Sequence, residues 1–94
     1  MIVEHHTFHL ADGVSDEAFL EADRRVQTEF APFQPGFIRR TTARAIDGEW
    51  LVETLWGTPD DAEAAARSGD PAMEALLSCV DAASAAVRHY ETLD

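Results

Sequence analysis

Residues 34–61, QPGFIRRTTARAIDGEWLVETLWGTPDD, contain the turn and strand signals that decide the fold of this chain. Two runs with strand composition, residues 37–46 and 49–56, stand on either side of Asp47-Gly48. Because Asp-Gly tolerates the positive φ angles of a type I′ turn, this dipeptide predicts a two-residue hairpin loop. The stretch therefore predicts an antiparallel β-hairpin in the middle of the chain.

A helix start follows the hairpin directly. Thr58 can act as the N-cap, with Pro59 at the first helical position and Asp61 at the third. The alanine-rich run 62–67 continues this helix, and Gly69-Asp70-Pro71 breaks and restarts it. The restarted part carries an apolar stripe of four residues: Met73, Leu76, Leu77 and Val80.

The outer segments of the chain add a strand, a helix and a last strand to this core. Residues 2–10 and 86–93 have strand composition, and Ser15 can cap a helix after the first of them. Apolar residues spaced three and four apart give that helix one apolar stripe: Phe19, Ala22, Val26, Phe30 and Phe33. Phe33, the last of them, extends this stripe past the expected end of the helix. Two β-α-β units joined by a hairpin predict an α+β, ferredoxin-like split-βαβ fold, with an antiparallel sheet of strand order 4-1-3-2 and both helices on one face.

Length and charge limit the function. Ninety-four residues predict a single domain spanning 1–94, and a chain this short gains stability from a partner. The net charge of -11 argues against nucleic-acid binding and against anionic membranes. All seven cationic side chains are Arg, which excludes a Schiff-base lysine and a P-loop. A signal-peptide pattern is missing, so we expect a cytoplasmic protein.

The third strand predicts a homodimer, because both of its faces are apolar. Trp50, Val52 and Trp56 alternate with Leu51 and Leu55. Helices can cover only one face of the sheet, and an exposed patch of this size on the other face indicates a partner. We therefore expect two sheets to close face to face into a homodimeric α+β barrel.

The same stretch also carries an ordered set of family motifs. Gln34-Pro35-Gly36-Phe37 opens the second strand, Asp47-Gly48-Glu49-Trp50 forms the hairpin, and Leu55-Trp56 ends the third strand before the acidic, alanine-rich Asp60-Asp61-Ala62-Glu63-Ala64. Together they resemble the dimeric α+β barrel superfamily that includes the antibiotic biosynthesis monooxygenases. This resemblance implies a homodimer with a small-molecule pocket in each subunit. It also implies a monooxygenase-like activity that needs neither a cofactor nor a metal.

Two other activities of that superfamily fit this chain poorly. Haem-degrading members use a Trp and a His in the second helix, and residues 61–80 contain neither. Cyclases of the olivetolic type use two histidines, at positions that hold Glu4 and Met73 here. The resemblance therefore implies a cofactor-independent oxygenase first, and a related cyclase or isomerase second.

Three histidines of the first strand and one of the last form the candidate site. Alternation places His6 on one strand face and His5 and His9 on the other. The alignment with the superfamily favours the His6 face, shared by Glu4 and Phe8, as the pocket lining and turns His5 towards the helices. The last strand, next to the first, would add His89. The expected substrate-binding residues around this pair are Glu4, Phe8, Trp50, Glu53, Trp56 and Tyr90.

His6 and His89 are the expected catalytic acid and base. A histidine pair in an apolar pocket can abstract a proton from a phenol or a 1,3-dicarbonyl carbon, after which oxygen reacts with the anion. Tyr90 or an arginine could donate a hydrogen bond to the developing oxyanion. His5 and His9 lie about 13 Å apart along the strand, which is too far for one metal ion, whereas His6, His89 and a glutamate could together bind one.

Structural interpretations of the same residues remain open. The histidines and tryptophans can be packing residues, Glu53 can belong to a structural ion pair, and the pair Arg39-Arg40 can be solvated or lie at a dimer edge. The whole chain can also be a non-enzymatic ligand-binding, stress-response or dimerisation module. An open cavity with inward-pointing histidines would favour an enzyme or a binding protein.

Overall fold

The computed structural model describes residues 1–93. In chain order these residues form four strands and three α-helices: β1 (Ile2–Phe8), α1 (Asp16–Arg25), β2 (Phe37–Arg44), β3 (Trp50–Trp56), α2 (Pro59–Ala66), α3 (Pro71–Ser78) and β4 (Ala86–Glu91). The strands pair antiparallel in the order β2-β3-β1-β4. This order is 4-1-3-2 read from the other edge, so the predicted ferredoxin-like fold is confirmed.

Each helix begins where its capping residue predicted. The Ser15 hydroxyl accepts from the Ala18 amide at 3.1 Å. Thr58 and Asp61 form a reciprocal capping box, with bonds of 3.2 and 3.1 Å to each other's backbone N–H. The Asp70 carboxylate accepts from the first turn of α3. These caps satisfy N–H groups that have no partner within the helix.

The end of α1 departs from a regular helix. It continues as a π-helical turn, Val26–Phe30, and a 3-10 turn, Ala31–Phe33. The predicted stripe is buried as far as Phe30. The extension to Phe33 is wrong: this side chain is 74% exposed, because the change of helical period rotates it away from the core.

Two local predictions about β-structure are also wrong. The Gly48 N–H donates to Ala45 and the Ala45 N–H donates to Glu49, which gives a three-residue loop. Gly48 has a φ of 96°, whereas Asp47 keeps a negative φ, so the turn is not type I′. The first strand also ends early, at Phe8, and Leu10 forms only an isolated bridge with Val80.

All three helices cover the same face of the sheet. Phe8 packs against Phe19 of α1 with ring centroids 5.5 Å apart, and Phe19 packs against Trp50 at 4.7 Å. Along β3 the buried residues alternate with half-buried ones, and the buried set faces the helices: Trp50, Val52, Thr54 and Trp56. Leu51, Glu53 and Leu55 lie on the opposite, open face.

The predicted orientation of β1 is therefore wrong. Glu4, His6 and Phe8 point towards the helices rather than into a space between two sheets. His5, expected to face the helices, lies on the open face near Glu53 and Tyr90. Because strand side chains alternate with a period of two, a wrong choice of face inverts every residue of the strand.

Candidate functional site

A cavity of about 240 Å³ lies between the sheet and the helices. Its walls are mostly apolar and come from the π-helical turn, α2 and α3: Val26, Phe30, Ala62, Ala65, Met73 and Leu76. The strands form its floor and carry most of the polar side chains that line the cavity: Glu4, His6, Arg40, Thr54, Trp56 and His89. An apolar pocket with a few polar groups is the usual form of a small-molecule site.

Four of the floor residues form a polar row across the whole sheet. His89 is paired with Glu4, Glu4 with Thr54, and Thr54 with Arg40. At the outer end, His89 Nε2 lies 3.0 Å from Glu4 Oε2. The His89 side chain is 49% exposed and that of Glu4 is 23% exposed, so this pair connects the cavity with solvent.

Arg40 forms the buried end of the row. Its Nη2 donates to Asp23 Oδ1 at 2.7 Å, and the two side chains are only 4% and 12% exposed. Its Nη1 makes longer contacts with Gln27 at 3.3 Å and Thr42 at 3.4 Å. Burial of an ion pair is costly unless its geometry is good, so Asp23 holds the guanidinium in a fixed position.

The sequence interpretation missed Arg40, which it grouped with Arg39 as a solvated or dimer-edge pair. Two signals were present. Arg39 and Arg40 must point to opposite faces of one strand. Asp23 stands directly after Ala22 on the apolar stripe of α1, where a buried carboxylate requires a cationic partner.

His6 lies beside the polar row, two residues along β1 from Glu4. Its ring stacks obliquely on Phe8, with centroids 4.8 Å apart. Burial lowers the pKa of His6 below its ordinary value of 6.5, Glu4 partly opposes this shift, and the charge of Arg40 adds to it. The imidazole is therefore neutral at pH 7 and can accept a proton.

Trp56 lines the cavity with its ring. The residue is only 4% exposed, and Phe37 packs against its ring edge-on at 5.9 Å. Its indole N–H is buried, and within residues 1–93 it has no hydrogen-bond partner. Because Nε1 is buried, other atoms of the ring form the wall of the cavity, and an aromatic ligand can pack against them.

The predicted site residues separate into two groups. The structure brings four of them together in the cavity lining: His6, His89, Glu4 and Trp56. It places the other four elsewhere: Phe8 and Trp50 in the core beside Phe19, and Glu53 and Tyr90 on the open face. His5 Nδ1 lies 3.5 Å from Glu53 Oε2, which places a histidine beside this carboxylate as its cross-strand partner.

Across residues 1–93, no three His, Cys, Asp or Glu side chains converge as metal ligands. No helix in the same range is long and apolar enough to cross a membrane.

Comparison with known proteins gives a consistent structural result. Neither a family model nor a curated protein matches the sequence. Among solved structures, a point mutant of SnoaB, a cofactor-independent oxygenase from Streptomyces nogalater, is 18% identical with a TM-score of 0.79, covering 99% of this chain and 93% of that one. A candidate antibiotic biosynthesis monooxygenase from Nitrosomonas europaea is 20% identical with a TM-score of 0.75, covering 100% of both chains.

A third similar structure contains a ligand. It is the monooxygenase from the gene ActVA-Orf6 of Streptomyces coelicolor in complex with nanaomycin D, 15% identical with a TM-score of 0.71, covering 99% of this chain and 88% of that one. The resemblance inferred from the motifs is thus confirmed in the fold, which is that of antibiotic biosynthesis monooxygenase structures. At these identities the likeness defines the fold, and function has to be argued from the cavity.

Proposed function

We propose that this chain binds a small aromatic or polyketide-like molecule in the cavity and oxidises it as a cofactor-independent monooxygenase. The observation that carries the proposal is the neutral His6 in a mostly apolar cavity that the Trp56 ring also lines. His6 can take a proton from a ligand, and the Trp56 ring can pack against an aromatic ligand.

The chemistry needs only a base, an apolar environment and molecular oxygen. His6 removes a proton from a hydroxylated aromatic or its keto tautomer, which leaves an electron-rich anion. Oxygen then reacts at a ring CH₂ carbon, which becomes a carbonyl. One oxygen atom is retained in that carbonyl, and the other leaves as water with the two hydrogens. Four electrons pass from the carbon to O₂, so the reaction balances without a cofactor.

The remaining cavity groups support this sequence of steps. The Trp56 ring can pack against the aromatic face of the ligand, which restricts the position of the ligand relative to His6. The Glu4–His89 pair at the rim can exchange the abstracted proton with solvent. SnoaB is described as a cofactor-independent oxygenase and the ActVA-Orf6 protein as a monooxygenase, which supports the same chemistry on this fold.

Oxygen uptake and quinone absorbance, measured with anthrone and a panel of naphthols, test the proposal. His6→Ala should lower the rate about 100-fold, the lower range for loss of a general base. His9→Ala is the control, because His9 is an exposed histidine beyond the end of β1 that does not line the cavity, and it should leave the rate unchanged. Equal losses in both variants would contradict the assignment. Binding without oxygen uptake would favour a cyclase, an isomerase or a non-enzymatic binding protein.

We also propose that the open face of the sheet forms a homodimer interface. It carries half-buried apolar residues and a nearly balanced set of charges in a chain whose net charge is -11. Val3, Leu51, Leu55 and Tyr90 lie on this face with His5 and Glu53. Arg88 lies over the Tyr90 ring at 5.2 Å. Two copies can therefore meet here with little charge repulsion.

Sedimentation velocity tests the dimer. The wild-type chain should sediment as a dimer, and Leu55→Arg should shift it towards a monomer by placing a charge in the apolar part of the interface. Leu20→Arg is the control, because Leu20 is 46% exposed on α1, away from the open face. A monomeric wild type at micromolar concentration would exclude this interface.

A further inference from the structure

We propose that Arg40 is an anion-binding residue of the cavity and that the ligand binds it through a negatively charged oxygen. This inference rests on the proposed function, because it assumes a ligand in the same cavity. It adds two details to the proposed function: the ligand carries a negative charge, and Arg40 selects for that charge. The chemistry expected is a carboxylate or an enolate oxygen on a planar aromatic molecule.

The guanidinium of Arg40 has unused donor capacity. An arginine has five N–H donors in a rigid planar fork. Among the described residues, Arg40 makes one short hydrogen bond, from Nη2 to Asp23 at 2.7 Å. The contacts of Nη1, to Gln27 and Thr42, are 3.3 and 3.4 Å long. Arg40 is one of the residues that line the cavity, and we infer that one of its remaining donors can reach a ligand oxygen there.

The distribution of charge around the cavity also favours an anionic ligand. This chain has eighteen acidic residues and seven arginines, yet the charged side chain at the buried end of the cavity is a cation. Asp23, its counter-ion, holds Arg40 from the α1 side and does not itself line the cavity. A pre-positioned cation of this kind costs little further ordering when an anion binds.

Arg40 also acts on His6, the proposed base. The positive charge of Arg40 contributes to the lowered pKa of His6, so the two groups lie within electrostatic range of each other. A proton that His6 takes from a hydroxyl leaves an anion in the same space. Arg40 then stabilises the product of the proton transfer as well as an anionic ligand in the ground state.

Two pairs of two-ring probes test this inference by calorimetric titration at pH 7.5. A cavity of about 150 Å³ holds benzene, so the 240 Å³ found here can hold a second ring. The carboxylate pair is 2-naphthoate and neutral 2-naphthamide. The enolate pair is ionised 2-hydroxy-1,4-naphthoquinone and its neutral methyl ether. The wild type should bind the anion of at least one pair about tenfold more tightly than the neutral member, because one charge-assisted hydrogen bond contributes about that much affinity. The pair with the larger preference shows whether the negative oxygen belongs to a carboxylate or to an enolate.

The variants change the buried charge in a controlled way. The double variant Asp23→Asn/Arg40→Gln removes both charges together, so no unpaired ion remains, and it should lose the anion preference. Arg39→Gln, on the opposite face of β2, should keep it. Asp23→Asn alone leaves Arg40 without its counter-ion and should increase the preference.

The outcomes separate the two proposals. A wild type that binds both members of each pair equally would overturn the role of Arg40 and leave cavity binding intact. An anion preference that survives in the double variant would also overturn it. If no probe binds, then the cavity does not take two-ring ligands, and both the proposed function and this inference fail.

Discussion

The pKa of His6 decides the pH range in which the cavity can act. Burial lowers this pKa below 6.5, so the native state binds the proton less tightly than the unfolded chain does. The unfolded state therefore takes up more protons as the pH falls through 6.5, and stability falls with it. We expect urea denaturation to show a loss of stability between pH 7.5 and 5.5 that is smaller in His6→Gln. An equal loss in both proteins would show that other groups cause it.

The Trp56 ring is expected to contact the ligand directly. Trp56→Phe should weaken binding of a naphthoquinone about two- to tenfold, because the smaller ring makes a weaker aromatic contact with the ligand. Trp50→Phe removes the other tryptophan, which is equally buried and lies outside the cavity lining. It should lower stability and leave the affinity unchanged.

Fluorescence gives an independent measurement of the same prediction. In Trp50→Phe the emission comes from Trp56 alone, so a ligand in the cavity should quench it. In Trp56→Phe the emission comes from Trp50 alone and should respond weakly. The reverse pattern would place the ligand near the hairpin rather than between sheet and helices.

At the scale of the elements, Gly36 couples the start of β2 to the start of α2. Gly36 has a φ of 77°, its carbonyl accepts from the Gly57 N–H at 2.8 Å, and a side chain there would overlap the Asp61 carboxylate. That carboxylate belongs to the capping box of α2. The Pro35-Gly36 motif and the helix-start motif therefore depend on each other.

Gly36→Ala should destabilise the protein by about 2–3 kcal/mol, the sum of left-handed strain and a disrupted cap. Gly69→Ala is the matched control, because Gly69 has a φ of 67° with open space around it. Gly69→Ala should lose only the stability that the left-handed strain costs. The free energies of unfolding of the two variants, measured by urea denaturation, should therefore differ by about 1 kcal/mol, which is the usual contribution of a helix cap. Equal costs would show that Asp61 moves away without losing its hydrogen bonds.

The predictions that succeeded at this scale rest on local chemistry. Ser15, Thr58 and Asp70 cap helices through bonds to residues two or three positions away, so the sequence alone locates them. The predicted turn type of the hairpin was wrong because Asp-Gly permits a positive φ at both positions, whereas in the structure only Gly48 has a positive φ. The prediction of which face of β1 points towards the helices was wrong, because this strand carries polar and apolar residues on both faces.

The candidate site could be predicted only in part, because it is assembled from distant segments. His6 and His89 come from the two ends of the chain, and the pairing of the first and last strands brings them to one cavity. Fold topology was enough to expect that. The Asp23–Arg40 pair joins a helix to an edge strand, and its burial depends on side-chain packing that alternation alone does not specify.

At the scale of the whole molecule, small side chains on α2 leave the space that becomes the cavity. Ala62 and Ala65 are buried and line it, whereas Ala64 on the same helix is exposed. A mostly apolar cavity costs stability because its lining atoms lose packing contacts, and its retention in a short chain fits a space kept for a ligand. Filling the cavity with a larger side chain should therefore raise stability and at the same time abolish ligand binding.

Ala65→Leu should raise the stability of the free protein by about 1–2 kcal/mol, since each added buried methylene contributes about 0.8 kcal/mol, less the strain of imperfect fit. The same variant should abolish binding of the two-ring probes, because the new side chain occupies their volume. Ala64→Leu adds the same groups to the exposed face of α2 and should leave both binding and stability nearly unchanged. Thermal unfolding with and without probe measures both effects. If Ala65→Leu still binds, the ligand site lies outside this cavity, since the space that remains would not hold two rings.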